Sequence, residues 1–120
     1  MKLEIIRLTL GPLPNNVYLL GDPDAGRAVV IDPSFESQEV VDRLDNMGWD
    51  LHAIWLTHAH FDHLAGADQM IRAYDPPPWI GLHPADLAWY QRAGGASAFG
   101  LSVSQPPKPE VKFTHGMSLA

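Results

Sequence analysis

Thr57-His58-Ala59-His60-Phe61-Asp62-His63 sets three imidazoles and one carboxylate inside seven consecutive residues, and half of the six histidines in the chain fall there. Ordinary core packing or surface solvation does not ask for that density of ligand atoms. Imidazole nitrogen with carboxylate oxygen suits zinc, iron or manganese, whereas calcium prefers shells made only of oxygen. In an extended segment alternate side chains share a face, so His58 and His60 can reach one metal while Ala59 points away. A bend into a following helix then leaves Asp62 and His63 nearby but aimed elsewhere, a natural start for a second metal position. Two metals about 3.5–4 Å apart can polarise a substrate oxygen and hold a hydroxide nucleophile at neutral pH. The competing reading, surface histidines with Asp62 as a plain helix cap, leaves the clustering unexplained.

The residues before this run predict its setting. Leu3 to Leu10 reads as a first strand, stopped by Gly11-Pro12-Leu13-Pro14. Val17-Tyr18-Leu19-Leu20 and Arg27-Ala28-Val29-Val30-Ile31 read as a hairpin around the Asp22-to-Gly26 turn cluster. Asp32-Pro33-Ser34 ends the second arm. From Glu36, the spacing of Val40, Val41, Leu44 and Met47 predicts an amphipathic helix that stops at Gly48. Ile54-Trp55-Leu56 is then a short buried strand, so strand, helix and strand follow in the order of a parallel crossover. The metal-ligand run starts where that strand ends, the place where α/β sheets gather their chemistry.

Beyond the run, a helix starting near Asp62 is expected to include Leu64, Ala67, Met70 and Ile71, followed by a strand at Trp79-Ile80-Gly81-Leu82. His83-Pro84-Ala85-Asp86 predicts a helix start with proline in its first turn. Gly94 to Pro109 reads as a loop, and Val111-Lys112-Phe113 as a last strand. Trp49, Trp55, Trp79 and Trp89 are read as packing residues, Trp55 foremost in the core. His52, His83 and His115 stand alone and are read as exposed or locally hydrogen-bonded.

Composition narrows the function classes. A chain of 120 residues with 46% apolar residues fits one packed domain. Eight basic against 14 acidic residues, a formal charge of -6, leave no basic stripe for nucleic acid or an anionic membrane. With no cysteine, thiolate metal sites and a cysteine nucleophile are ruled out. Charges interrupt the apolar residues of Met1 to Arg7, and no segment has the length of a membrane span, so a soluble cytoplasmic protein is expected.

The pattern Thr57-His58-x-His60-x-Asp62-His63 resembles the signature of the metallo-β-lactamase fold superfamily. Asn16-Val17-Tyr18-Leu19 is similar to the family's early Asn-x-Tyr strand, and Ala28 to Pro33 to the strand that ends in its active-site aspartate. Ala53 to Leu56 leads into the signature and Leu64-Ala65-Gly66 leaves it as in the family. The resemblance is strong over residues 15–67 and weak after Pro76. It implies an α/β fold: the amino-terminal half of an αββα sandwich, a mixed sheet flanked by helices, forming one domain over residues 1–120 that stops before the second half.

Within the superfamily the chain is most similar to glyoxalase II-like hydrolases, in which a metal-bound hydroxide attacks a thioester carbonyl, and that resemblance implies a small-molecule substrate. It also implies one or two zinc ions, with iron or manganese as substitutes. His58 and His60 would bind the first metal and Asp62 and His63 the second, with Asp62 the catalytic carboxylate and Asp32 behind them, orienting the imidazoles. Thr57 would shape the loop. Ser34 stands where relatives commonly carry glycine, which calls into question any backbone conformation there that needs glycine. The family completes its site with ligands in the second half of the fold, so the chain alone is expected to have little activity. An apolar sheet face left uncovered would favour association, including a homodimer. Two alternatives remain: a mononuclear iron enzyme of the persulfide dioxygenase kind, and a non-catalytic metal-binding fragment.

Overall fold

The computed structural model describes residues 3–10, 15–59, 61–92, 94–96 and 109–117, with the backbone alone at 61 and 62. The Gly11–Pro14 stop, His60, the side chain of Asp62 and most of the Gly94–Pro109 loop lie outside the described residues. The chain forms a six-stranded mixed sheet whose spatial order follows the sequence, β1 (Glu4–Leu10), β2 (Asn15–Asp22), β3 (Arg27–Ile31), β4 (Asp50–Trp55), β5 (Trp79–Leu82) and β6 (Val111–Lys112).

The first three strands are antiparallel neighbours and the rest are parallel. The β2–β3 hairpin turns where the Asp/Pro/Gly cluster predicts it. The Asp22 carboxylate accepts from the N–H groups of Asp24 (3.1 Å) and Ala25 (3.3 Å), and Gly26 N–H closes back on Asp22 O at 2.9 Å. Such local side-chain bonds make aspartate a turn former.

Helix α1 (Gln38–Met47) makes the crossover from β3 to β4 and buries Val40, Val41 and Leu44, the stripe its spacing predicts. It ends at Gly48, whose φ of 69° places it in the left-handed region that glycine enters at least cost, and its N–H returns to Asp45 O. The predicted helix after the signature is broken: α2 (Phe61–Leu64) and α3 (Ala67–Ala73) are separated by a turn at Ala65-Gly66. After β5 a 3-10 turn at Pro84–Asp86, capped by the His83 side chain, runs into α4 (Leu87–Gln91).

One face of the sheet carries the core. Val17, Leu19, Ala28, Val30, Leu51, Ile54 and Ile80 are all buried there with Val40, Val41 and Leu44 of α1 and Met70 of α3. A register shift opposite Ala28 and Val29 lets Leu51 and Ile54 both face this side, which strict alternation would forbid. The same shift corrects the expectation for Trp55. Paired with Ile31, it sits half-buried on the outer face, beside Trp79 (6.4 Å between rings) and edge-on to Phe113 (6.3 Å). Trp49, at 8% exposure, is the tryptophan in the core. Among the described residues no helix is long and apolar enough to cross a membrane.

Candidate metal centre

β3 and β4 are parallel neighbours, so both deliver their next residues to the same edge of the sheet. The ladder runs one residue past β3, with Asp32 N–H donating to Trp55 O at 2.9 Å. Asp32 is thereby set beside Thr57. Its φ of 55° is left-handed, a conformation that aspartate accepts more readily than most residues because its short carboxylate can bond locally. The strained backbone thus lies at Asp32 and at Glu36 (φ 61°), while Ser34 is not among the residues with positive φ. The glycine-like conformation suspected at Ser34 is not needed, and Ser34 is fully buried instead.

The Asp32 carboxylate is itself buried (6% exposure) and both oxygens are engaged. Oδ1 accepts from Thr57 N–H at 2.7 Å, and Oδ2 accepts from Thr57 Oγ1 at 2.6 Å. Oδ2 also lies 3.2 Å from His63 Nδ1. Thr57 Oγ1 is in turn 3.0 Å from His58 Nδ1. The His58 and His63 rings face each other at 4.0 Å between centroids. One donor atom each from Asp32, His58 and His63 can be drawn within 4.8 Å of one another.

Local structure explains how His63 arrives there. It lies in the one-turn helix α2, which leads into a turn that packs against the loop after β3. Gly66 N–H donates to Pro33 O at 3.2 Å, and a Cβ built on Gly66 would lie 2.4 Å from Ser34 O. Further along, Ser37 Oγ donates to Gln69 Oε1 at 2.5 Å and Gln69 Nε2 to Gln38 Oε1 at 3.1 Å, clamping α3 to α1. The segment carrying His63 and the segment carrying Asp32 are therefore held together by backbone approach as well as by side chains.

The structure brings together His58, His63 and Asp32 of the residues named from sequence. Ala59 is buried at 1% exposure while Thr57 and His58 before it are both exposed, and the backbone bends at these two residues rather than running extended. His60 and the Asp62 side chain lie outside the described residues. Asp32 has both oxygens hydrogen-bonded to Thr57 and stays within reach of both His58 and His63. Two of the three lone histidines read as expected: His83 Nδ1 accepts from Ala85 N–H at 3.1 Å, and His115 is exposed in a turn closed by Met117 N–H on Thr114 O; His52 is instead half-buried and meets the Trp79 ring edge-on at 6.1 Å. The pair of hydrogen bonds from Thr57 to Asp32 was not legible in the sequence, because the two residues are 25 positions apart and only strand register sets them side by side.

The donor set fits a transition metal. Two imidazoles converge at the mouth of the sheet, backed by a buried carboxylate, and nitrogen with oxygen donors suits zinc or iron.

Comparison with known proteins gives the same direction. Residues 10–118 match the family described as the metallo-beta-lactamase superfamily. A hydroxyacylglutathione hydrolase of Ruegeria pomeroyi is 39% identical, over 94% of this chain and 48% of that protein. The crystal structure of TTHA1623 in a di-iron-bound form superposes with a TM-score of 0.83 at 37% identity, covering 95% of this chain and 56% of that one. The BLEG-1 B3 metallo-beta-lactamase superposes with a TM-score of 0.84 at 26% identity, covering 98% of this chain and 56% of that one. The chain thus spans about half the length of the relatives it matches.

Proposed function

Since this chain belongs to the metallo-beta-lactamase superfamily, we propose that it carries the first half of a metallo-hydrolase active site that cleaves a small thioester of the hydroxyacylglutathione kind. The observation behind this reading is the meeting of His58, His63 and Asp32 at the carboxyl ends of β3 and β4. The relative named hydroxyacylglutathione hydrolase supports the substrate class.

His58 and His63 would hold metal, together with His60 and Asp62, and Asp62 would be the carboxylate nearest the reacting atoms. Asp32 and Thr57 orient the imidazoles from behind. A divalent metal bound there supplies Lewis acidity toward a carbonyl oxygen and an acidified water. Zinc is the first choice, and the di-iron form of TTHA1623 keeps iron beside it. A transition metal held by only a few protein ligands binds weakly, so strong activity belongs to a site with more ligands than these.

The test is metal analysis of the purified chain, followed by hydrolysis of a hydroxyacylglutathione and of a β-lactam, with and without a chelator. The reading expects zinc or iron to bind when supplied, that binding to be lost in the double variant His58→Ala/His63→Ala, and any hydrolysis to favour the thioester and to stop with the chelator. Preference for the lactam would move the substrate class toward that of the BLEG-1 enzyme. No metal bound in a titration carried to millimolar concentrations would sink the reading.

A further inference from the structure

We propose that the Thr57 hydroxyl is a positioning group that fixes the tautomer of His58, holding the proton on Nδ1 so that Nε2 carries the lone pair. The inference rests on the metal-centre reading and adds to it which nitrogen of His58 faces the metal and what makes it do so.

A threonine hydroxyl has one proton to give and two lone pairs to receive with. Thr57 Oγ1 has two neighbours, Asp32 Oδ2 at 2.6 Å and His58 Nδ1 at 3.0 Å. An ionised carboxylate only accepts, and 2.6 Å is the length of a charge-assisted O–H···O⁻ bond. The proton of Oγ1 therefore points at Asp32. Turned the other way, Oγ1 would face a carboxylate oxygen at 2.6 Å lone pair to lone pair. With its proton committed, Oγ1 offers His58 only a lone pair, and the 3.0 Å contact is a bond only when Nδ1 carries a hydrogen. Neutral imidazole with Nδ1–H has its acceptor at Nε2.

The device holds its direction because Asp32 cannot turn. Its other oxygen is pinned by the Thr57 backbone N–H at 2.7 Å, and the group is buried at 6% exposure. Thr57 is restricted as well, since a β-branched side chain has few χ1 choices. The order of donation runs from His58 Nδ1–H to Thr57 Oγ1 and from Thr57 Oγ1–H to Asp32 Oδ2. A carboxylate reaches the imidazole through one hydroxyl.

The experiment is a long-range proton–nitrogen correlation spectrum of the whole 15N-labelled chain, metal-free, near pH 8. Zinc titrations of the same chain and of Thr57→Val and Thr57→Ser accompany it. His58 in the unaltered chain is expected to show a protonated Nδ1 and an unprotonated Nε2. Thr57→Val should lose that signature and bind zinc about 10–100-fold more weakly, while Thr57→Ser keeps both.

A protonated Nε2 on His58 in the unaltered chain overturns the proposal whether or not the variants fold. So does Thr57→Val with unchanged tautomer and unchanged zinc affinity. Failure of the unaltered chain to bind zinc would instead count against the metal-centre reading, and the tautomer spectrum would still decide the role of Thr57.

Discussion

Asp32 and Thr57 are bonded twice, through the backbone N–H of Thr57 at 2.7 Å and through its hydroxyl at 2.6 Å, so one carboxylate ties the end of β3 to the start of the signature loop. Two substitutions separate its roles. Asp32→Asn keeps a residue that tolerates the left-handed φ of 55° but loses the charge and one acceptor. It should cost about 1.5–3 kcal/mol of stability, the scale of hydrogen bonds to charged groups, and weaken metal binding about 10–100-fold. Asp32→Ala should lose a further ~1 kcal/mol or more because alanine is strained at that φ. Urea unfolding midpoints and zinc competition titrations check both. Equal stability of the two variants would mean that the backbone conformation contributes nothing.

Gly66→Ala tests the approach that sets His63. A Cβ there would lie 2.4 Å from Ser34 O and 2.6 Å from Ser37 Cβ, and the first of these is backbone that no side-chain rotation can relieve. The expected loss is about 1–3 kcal/mol, the range for forcing extra atoms into a packed site. Metal affinity should fall along with it, because α2 must shift to make room. A variant that keeps its unfolding midpoint would show that the turn yields freely.

How much of this was readable in the residues depended on the range of the interaction. The helix over Val40, Val41 and Leu44, the hairpin turn at Asp22 and the proline-led turn after His83 rest on local chemistry, and each stands where its residues predict. Trp55 was misplaced because the apolar run Ile54-Trp55-Leu56 was read as buried throughout, whereas the face each residue takes is set by a register shift that belongs to the pairing of β3 with β4 rather than to either strand. The break between α2 and α3 was missed for a related reason: Gly66 serves a contact with Ser34, 32 residues earlier, and nothing beside it announces the partner. At the site, the ligand types were visible in one short run. Their meeting with Asp32 depended on a parallel crossover, which sequence order suggested and register completed.

Tyr74 makes stability fall at alkaline pH. Burial, and after it the charges of Asp45 and Asp50, push its pKa up to about 12. The unfolded value is near 10, so the folded chain holds this proton more tightly. The associated stability is whole below about pH 10 and is lost as pH rises toward 12. Burial raises Tyr90 in the same direction, so the two residues add. The Tyr74 hydroxyl has no hydrogen-bond partner among the described residues. Tyr74→Phe should therefore leave the urea midpoint at pH 7 unchanged or slightly higher, and should shrink its fall between pH 9 and about pH 11 without abolishing it. An identical fall in both proteins would remove Tyr74 as a cause.

The outer face of the sheet leads to an expectation about association. Ile5, Leu20, Val29, Ala53 and Trp79 are register partners in sequence, an apolar row that crosses from β1 to β5 on the side away from α1. Ile5 is 70% exposed. Leu20, Val29 and Trp79 are half-buried and Ala53 is covered by its neighbours, so the row is open to water chiefly toward β1; parallel strands are usually covered on both faces, and such partly open apolar surface favours pairing with a like surface. Sedimentation velocity across a concentration series should show the chain shifting from monomer to a larger species. Ile5→Glu, at an exposed edge position where a substitution changes stability by only about 0.5 kcal/mol, should move that shift to higher concentration. The acidic net charge of -6 works in the same direction, since each added carboxylate raises the repulsion between copies. A compact monomer at every concentration would show that the row is satisfied within one chain, and Ile5→Glu would then leave the sedimentation profile unchanged.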